Sequence, residues 1–380
     1  MQRPIYLDFQ STTPTDPRVV EAMAPYWSMH FGNPHSQTHR YGHEANSAVE
    51  TARKHIADLI GADPDEIIFT SGATESNNII IQGIKLRGHK TCISHSTIEH
   101  KCVLETCAAQ GRRGIKVIKI PVTSAGQVDE CFLSELPNDS IALTCIMYAN
   151  NEIGVVQPIK GISTILKSKG SLLHVDAAQA VGKIPIDVVD SGIDFMSISA
   201  HKIYGPKGIG ALYIRREMRN QVKPLMFGGQ QEKGIRPGTL PLPLCVGFGK
   251  ACALAKKQMF TDMEHVERCR AIFLAHIMEI IPNCKLNVNA KARIPGTINL
   301  RLPVPDIDFI LTRTQDKIAA STGSACASGF VEASHVLSAI GLTPAEAEQS
   351  LRISFGRTSS VQDAKQAALY LSEAVSSICM

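Results

Sequence analysis

The sequence lacks the features that would place the chain in a membrane or outside the cell. No apolar run approaches the roughly 18 residues that a helix needs to span a bilayer. The first residues, Met1 to Asp8, contain no apolar segment of the kind found in a secretory signal peptide. We therefore expect no membrane partner and a cytoplasmic location.

Charge of one sign is also scarce. The formal net charge is only +4 over 380 residues, and the lysines and arginines are scattered along the chain. Because nucleic-acid-binding proteins concentrate basic residues in patches, we expect no direct nucleic-acid partner. Low-complexity segments and internal repeats are missing as well. A content of 44% apolar and 19% charged residues is typical of a folded protein, and the length suits two domains.

No two cysteines form a C-x-x-C pair, although the chain has eleven cysteines. The missing pair removes the usual signature of a zinc or dithiol redox site, and the odd total argues against a complete disulfide framework. We expect a reducing compartment and mostly buried structural thiols. Composition alone does not show which thiol, if any, is reactive.

Apolar strands and amphipathic helices alternate through the first two thirds of the chain. Strands are predicted at 65–70, 90–94, 116–122, 141–148, 172–176, 195–198 and 209–214. Helices are predicted at 43–60, 77–83, 99–110, 128–136 and 159–169. Residues 1–40 are rich in proline and small polar residues and are predicted to form loops. This alternation indicates an α/β domain with a mostly parallel sheet.

The pattern changes beyond about residue 245. A largely helical stretch covers 246–281, short strands follow at 297–302 and 351–355, and a last helix covers 361–378. These elements predict a smaller α+β domain after the α/β domain.

Polar side chains follow several strands of the predicted sheet. Because ligands bind beyond the carboxyl ends of parallel strands, these residues could meet in one site. The residues at these positions are Thr74, His100, Asn151, Asp176 and Lys202.

The turn Ser71–Ser76 lies between a strand and a helix. Helix N-terminal N–H groups at such a turn form an anion site. The alternative is a helix capped by Ser71 or Thr74, which needs no ligand.

Lys202 follows an apolar strand and precedes a Gly-Pro turn. A lysine at the mouth of a buried strand is costly unless it is paired or neutral, and one use is attack on a carbonyl as a Schiff-base amine. The alternative is a surface turn with two ordinary lysines, Lys202 and Lys207.

Asp176, at the end of another strand, needs a cationic partner. A protonated pyridine nitrogen would serve, and enzymes that use pyridoxal phosphate combine such an acid with a lysine. His100 could stack on a flat ring or act as an acid or base, or it could be a structural histidine.

Taken together, the motifs of this chain resemble the cysteine desulfurases of the NifS/IscS type, which are class V pyridoxal phosphate enzymes of fold type I. The resemblance extends from residue 6 to residue 357 with the motifs in family order. The motifs that carry it are Tyr6–Pro14, Gly32–Ser36, Ser71–Asn77, Asn150–Gly154, His174–Gln179, Ser199–Lys202, Arg236–Leu240, Ser324–Ser328 and Arg352–Arg357.

The resemblance implies a large domain with a mostly parallel seven-stranded sheet between helices, over residues 15–250. It also implies a smaller α+β domain built from residues 1–14 and 251–380. The cofactor would be pyridoxal 5′-phosphate, the substrate L-cysteine and the product L-alanine. A homodimer and a sulfur-acceptor protein would be the partners.

The resemblance also implies roles for individual residues. Lys202 would form the Schiff base with the cofactor and move the substrate proton, Asp176 would pair with the ring nitrogen, and His100 would stack on the ring. Gln179 would contact the ring hydroxyl. The phosphate would be held by Ala73, Thr74, Ser199 and His201, with Thr239 reaching the phosphate of the neighbouring subunit. The substrate carboxylate would be bound by Asn151 and Arg352, with help from Asn33.

Cys326 would be the nucleophile, taking sulfur as a persulfide and passing it to an acceptor. The stretch after Arg357 is shorter than in IscS-type members, which leaves iron–sulfur assembly, tRNA thiolation and DNA phosphorothioation open as pathways. A selenocysteine lyase or another class V lyase is the alternative on the same fold. A non-catalytic sulfur-relay or binding protein is the alternative from another class.

Overall fold

The computed structural model describes residues 3–86, 88–322 and 334–377. The strands are β1 (Ile5–Tyr6), β2 (Ile67–Thr70), β3 (Cys92–Ser96), β4 (Lys116–Ile120), β5 (Ile141–Met147), β6 (Leu172–Asp176), β7 (Phe195–Ser199), β8 (Gly210–Ile214), β9 (Lys285–Leu286), β10 (Thr297–Arg301), β11 (Ile318–Ala319) and β12 (Ser350–Ser354). The α-helices are α1 (Pro17–Met23), α2 (Arg40–Ile60), α3 (Ala73–Gly83), α4 (Lys101–Arg112), α5 (Glu130–Glu135), α6 (Ile159–Ser168), α7 (Leu242–Ile280), α8 (Ile307–Thr314), α9 (His335–Ala339), α10 (Pro344–Glu348) and α11 (Val361–Ser376). Within these ranges no helix is long and apolar enough to cross a membrane.

The large unit is built on a seven-stranded sheet in the order β2-β8-β7-β6-β5-β3-β4. Strand β8 runs antiparallel to both neighbours, and the remaining pairs in the sheet are parallel. The carboxyl ends of β2, β3, β5, β6 and β7 therefore lie at one edge of the sheet. This confirms the predicted α/β class with a mostly parallel seven-stranded sheet.

The strands and helices form where the apolar pattern predicts them. Every residue of β5 and β7 is buried, as expected for strands covered by helices on both faces. Helix α2 buries Ala45, Val49, Ala52, Ile56 and Leu59 along one stripe. It ends at Gly61, whose φ of +71° is a left-handed conformation that favours glycine at a helix end.

The prediction that residues 1–40 form loops is wrong at the short strand β1 and, over a longer segment, at residues 17–27. Helix α1 begins directly after Asp16, whose side chain accepts a hydrogen bond from the Arg18 N–H. Pro17 occupies the first turn, where its missing N–H costs nothing and its fixed φ suits a helix. The pair Asp16-Pro17 therefore begins a helix, although a proline considered alone predicts a loop.

The cysteines of the described residues form no disulfide, and most are buried. Cys131 is exposed and Cys102 is half-buried. This agrees with the expected set of structural thiols. Cys326 and Cys379 lie outside the described residues.

A second apolar core belongs to the smaller α+β unit. It contains the antiparallel sheet β12-β10-β9 with α8, α11 and the C-terminal part of α7. The N-terminal strand β1 joins this unit by pairing with β11, and Asp8 bridges to Ser354 of β12. Helix α7 contributes to both cores, with Met259 in the large one and Val266 in the small one. The division at residues 14/15 and 250/251 stays a prediction.

A buried ion pair fixes the strand that leads into the predicted anion turn. Arg53 of α2 donates two hydrogen bonds to Glu232, at 2.8 and 2.9 Å, and the two side chains are 9% and 2% exposed. Glu232 also accepts the Phe69 N–H of β2 at 2.6 Å. We expect Glu232→Ala to lower the free energy of unfolding by about 3–5 kcal/mol, because the buried guanidinium loses its buried partner and keeps only the exposed Glu50.

Chemical denaturation measures this effect, and Glu50→Ala is the matched control. Glu50 pairs with the same guanidinium at 3.1 Å but is 52% exposed. Exposed pairs contribute about 0–1 kcal/mol, so the control should stay within that range. Equal losses in the two variants would show that burial does not govern this pair.

Candidate active site

One cavity of about 500 Å³ lies at the carboxyl edge of the large sheet. Segments that follow β2, β3, β5, β6 and β7 line it, and the smaller unit adds residues 10–12 and Arg352. The predicted site residues among its lining are Ala73, Thr74, His100, Asn151, Asp176, Gln179, Ser199, His201, Lys202 and Arg352. The convergence expected from the strand ends is therefore present in the structure.

The N-terminus of helix α3 opens onto this cavity. Its N-cap is Gly72, which supplies no side-chain hydrogen bond to the first turn. The alternative of a helix capped by Ser71 or Thr74 is therefore wrong. Since the first N–H groups of a helix have no partner within it, the amides of Ala73 and Thr74 can bind an anion. The φ of Gly72 is +154°, and a Cβ built there would lie 3.9 Å from the Ser199 Oγ.

Asp176 ends strand β6 with its carboxylate in the cavity. Asn77 of α3 donates to its Oδ2 at 2.7 Å, and the Ala178 N–H donates to its Oδ1 at 3.0 Å. The side chain of Asp176 is 6% exposed. These contacts leave an oriented acid that has room for a cationic partner inside the cavity.

Lys202 lies in a 3-10 turn directly after β7. Its Nζ donates to the carbonyl oxygens of Gln10 and Ser11 at 2.5 and 2.6 Å. Gln179 donates from Nε2 to the same Gln10 oxygen at 2.8 Å, and Lys183 donates to the Gln179 Oε1 at 2.9 Å. The backbone oxygen of Gln10 thus holds both the Lys202 amine and the Gln179 amide at this end of the cavity.

Two imidazoles in the cavity wall are neutral. His100 caps helix α4, its Nδ1 accepting the Cys102 N–H at 3.2 Å, and burial lowers its pKa. Burial, followed by the charge of Lys202, lowers the pKa of His201 to about 4. The His201 Nδ1 lies 3.0 Å from the Thr12 hydroxyl. A neutral His100 can stack on an aromatic ring without placing a second cation beside Lys202.

Arg352 of β12 brings a cation into the cavity from the smaller unit. It is 4% exposed, and its Nη2 donates to Asp8 at 2.6 Å and to the Ser321 hydroxyl at 2.8 Å. Its Nη1 donates to the Asn151 carbonyl oxygen at 3.1 Å. These contacts fix the plane of the guanidinium. They also use both Nη2 protons, so a carboxylate that takes two parallel hydrogen bonds must displace Asp8 or Ser321 from one of them.

The structure does not bring two predicted residues into the cavity. Asn33 is exposed, and its Oδ1 accepts the N–H of His35. Thr239 is exposed and does not line the cavity of its own chain. Cys326 lies outside the described residues.

Sequence reasoning missed several residues that orient the site. Asn77 holds Asp176, Asp8 holds Arg352, and Lys183 holds Gln179. Asn77 was visible within the Ser71–Asn77 motif, one helical turn beyond Ala73, which is a spacing that places both residues on one face. The contact of Asp8 with Arg352 joins residues 344 positions apart and has no local signal.

A buried histidine beside the site predicts acid sensitivity. His174 of β6 is fully buried, and burial lowers its pKa to about 4. Below the unfolded value of about 6.5 the unfolded chain binds a proton that the folded chain does not, so stability falls as pH falls. From these values we expect a loss of about 2 kcal/mol between pH 7 and pH 5 from this residue. The free energy of unfolding, measured with urea at both pH values, should show this loss in the wild type and not in His174→Gln. An identical pH dependence in the two proteins would contradict the assignment.

The comparisons with known proteins agree with this geometry. The family profile for Aminotransferase class-V matches residues 5–366. The chain is 48% identical over 362 residues to "Cysteine desulfurase IscS" of Rickettsia typhi (strain ATCC VR-144 / Wilmington), covering 95% of this chain and 88% of that protein. The chain belongs to the cysteine desulfurase family of class-V aminotransferases.

Solved structures support the same assignment for this desulfurase. A NifS-like protein superimposes with a TM-score of 0.91 at 34% identity, covering 99% of this chain and 100% of that one. A structure described as SspA in complex with cysteine superimposes with a TM-score of 0.81 at 36% identity, covering 93% and 99%. The resemblance to NifS/IscS-type enzymes is confirmed.

Desulfurases of this class use pyridoxal 5′-phosphate, and the cavity has the donor set that this cofactor needs. An uncapped helix N-terminus with a hydroxyl and an imidazole beside it suits a phosphate. A buried carboxylate suits a pyridine N–H, and an amine held by carbonyl oxygens suits an aldehyde. All three groups line one cavity, so the residues present fit the cofactor.

Proposed function

We propose that this desulfurase converts L-cysteine to L-alanine and leaves the sulfur as a persulfide on Cys326. The observation that carries the proposal is the meeting of Asp176, Lys202, Arg352 and the α3 N-terminus in one cavity. An electron-sink cofactor, a proton-transfer amine and a carboxylate-binding guanidinium are together sufficient to activate an amino acid at its β-carbon.

The residues divide the work by their chemistry. The bound cofactor supplies an electron sink for the substrate carbon. Ala73, Thr74, Ser199 and His201 would hold its phosphate, and Asp176 would keep its ring nitrogen protonated. His100 would stack on the ring, and Gln179 would contact its hydroxyl.

Lys202 would hold the cofactor aldehyde and then move the proton at the substrate α-carbon. In the structure its amine is held by two backbone carbonyl oxygens, those of Gln10 and Ser11. These contacts point the amine along one direction before any ligand binds. An amine oriented in this way can act as acid and base on one atom, which general acid–base catalysis requires.

The sulfur step balances without an outside oxidant. The Cys326 thiolate attacks the substrate sulfur, forming an S–S bond while the substrate Cβ–S bond breaks. The electron pair of the broken bond passes to the β-carbon, which takes up a proton. The sulfur is oxidised to the persulfide level and the carbon is reduced to a methyl group, which gives alanine.

Arg352 would bind the substrate carboxylate, with Asn151 beside it. We expect Arg352→Ala to raise KM for L-cysteine roughly tenfold to a hundredfold, as for loss of a charge-assisted pair. Initial rates of alanine formation at varied L-cysteine measure this. Arg352→Lys keeps the positive charge but lacks the planar guanidinium, so its KM should lie between those of the wild type and Arg352→Ala. A KM equal to that of the wild type in Arg352→Ala would remove this residue from the substrate site.

The functional unit would be a homodimer. Trp27, Met29, Phe31 and Tyr41 are each more than half exposed and close to one another in sequence, which is typical of a surface that a second subunit covers. Thr239 could then reach the cofactor phosphate of the neighbouring subunit. Light scattering should give twice the 41.2 kDa of one chain, whereas the mass of a single chain would contradict the dimer.

The sulfur would pass from Cys326 to an acceptor protein. Iron–sulfur assembly, tRNA thiolation and DNA phosphorothioation are the candidate pathways, because each of them needs a persulfide donor.

A cytoplasmic location stays a prediction. The related structure described as SspA in complex with cysteine supports cysteine as the substrate proposed for this chain.

The test is cofactor uptake by the purified chain, followed by alanine formation from L-cysteine and, separately, from L-selenocysteine, with a reductant present. We expect uptake and alanine from L-cysteine. Alanine from L-selenocysteine alone would favour the selenocysteine lyase. Alanine from neither by the loaded protein would mean another substrate or an obligatory partner, and failure to take up the cofactor would favour the non-catalytic alternative.

A further inference from the structure

Cys102 places a thiol inside the cofactor cavity, and the proposed reaction gives it no role. It is the second residue of helix α4, two positions after the cap His100. Nothing in the helix requires a thiol there, because the hydrogen bond that caps the helix uses the backbone N–H of this position.

The thiol joins two parts of the site. Its Sγ lies 3.0 Å from the Nδ1 of His100 and 3.0 Å from the Nδ2 of Asn77. The same Asn77 nitrogen donates its other proton to Asp176 at 2.7 Å. A continuous chain of hydrogen bonds therefore runs from the imidazole through sulfur and amide to the carboxylate.

The direction of each hydrogen bond follows from the donors. The Cys102 backbone N–H can only donate, so the Nδ1 of His100 is an acceptor and carries no proton. Burial raises the pKa of the Cys102 thiol to about 12, with the charge of Asp176 as the next cause, so the sulfur keeps its proton. The S–H then shares the Nδ1 lone pair with the backbone N–H, and sulfur accepts from Asn77. The Thr74 side chain also hydrogen-bonds the sulfur. The proton of the neutral imidazole is on Nε2.

We propose that Cys102 is a positioning residue, whose thiol holds the plane of His100, in the tautomer that the backbone N–H sets, and ties it to the Asn77–Asp176 pair. The inference rests on the proposed function, in which His100 and Asp176 meet the same cofactor ring. The imidazole presented to the ring is then one tautomer in one orientation, with no cost of ordering when the ligand binds.

The proposal gives a direction for pH dependence. The groups that face His100 are Asp176 at the end of β6, Lys202 after β7, His335 of α9 and Lys101 of its own helix. An S–H donor to Nδ1 is compatible only with the neutral imidazole. Removing it weakens the neutral form, so the pKa of His100 should rise in Cys102→Ala. The acid limb of the activity profile should then move to higher pH.

The test compares Cys102→Ala and Cys102→Ser with Cys107→Ala, which removes a fully buried thiol from the same helix. Two properties are measured over pH, namely the visible absorption of the bound cofactor without substrate, and kcat and KM for alanine formation. We expect Cys102→Ala to lose about fivefold in kcat, the size of one hydrogen bond, with KM unchanged and the acid limb shifted. The hydroxyl of Cys102→Ser can donate and accept hydrogen bonds, so this variant should recover most of the wild-type kcat and most of the wild-type pH profile.

Two results would overturn the proposal. One is a Cys102→Ala protein that matches the wild type in kcat, pH profile and absorption. The other is an equal loss in Cys102→Ala, Cys102→Ser and Cys107→Ala, which would mark a packing effect. If the wild type forms no alanine, the proposed reaction fails, but the absorption titration still decides whether Cys102 positions His100.

Discussion

Lys202→Ala should abolish alanine formation, with a loss of at least about a thousandfold in kcat, the scale seen when the central group of a catalytic unit is removed. In the proposed reaction this amine would hold the cofactor aldehyde and then move the proton at the substrate α-carbon, and both tasks need the nitrogen. In the structure the amine donates to the carbonyl oxygens of Gln10 and Ser11. Steady-state rates measure the proton transfer, and borohydride reduction of the cofactor-loaded protein measures the Schiff base. Reduction should attach the cofactor covalently to the wild type, whereas the cofactor should still be removable from Lys202→Ala.

Lys207→Ala is the matched control. Lys207 lines the same cavity five positions further along the turn, but it is exposed. We expect it to keep both turnover and covalent retention of the cofactor. Retention in Lys202→Ala together with its loss in Lys207→Ala would transfer the assignment to Lys207.

Asp176→Ala should lower kcat by roughly two-hundredfold to five-thousandfold, as expected for about 3–5 kcal/mol when one partner of a buried pair is removed. Without the carboxylate the ring nitrogen would lose its proton, and the ring would become a weaker electron sink. The cofactor should also bind less tightly. Rates at saturating cofactor separate the loss of chemistry from the loss of binding.

Asn77→Ala provides the comparison for Asp176. It keeps the acid and removes the 2.7 Å hydrogen bond that orients it. We expect a loss of about fivefold to tenfold, since one hydrogen bond is removed and the charge remains. If Asp176→Ala lost no more activity than Asn77→Ala, the carboxylate would have no role in holding the ring proton.

Much of this site could be predicted from sequence because the predicted residues follow strand ends. Alternating strands and helices predicted a parallel sheet, and the sheet placed Asp176 and Lys202 at one edge. Their identity as acid and amine is enough to suggest the cofactor from the sequence alone. Arg352 was assigned from its motif alone, since its strand belongs to the other unit.

Sequence reasoning missed residues that act on the site from distant parts of the chain, and it missed a helix that begins at a proline. Asp8 and Lys183 orient Arg352 and Gln179 from segments whose approach depends on the tertiary fold. Helix α1 was missed because Pro17 reads as a breaker, although the first turn of a helix tolerates it. Asn33 and Thr239 lie away from the cavity of their own chain, where a second subunit could give them a role.

The most direct test of the account is to locate the sulfur after turnover. The wild-type protein is mixed with L-cysteine in the absence of reductant, digested and analysed by mass spectrometry, with Cys326→Ser alongside. We expect the peptide that contains Cys326 to gain one sulfur atom as alanine forms, and the variant to gain none anywhere. An added sulfur atom on another cysteine, or full alanine formation by Cys326→Ser, would contradict Cys326 as the sulfur-accepting nucleophile.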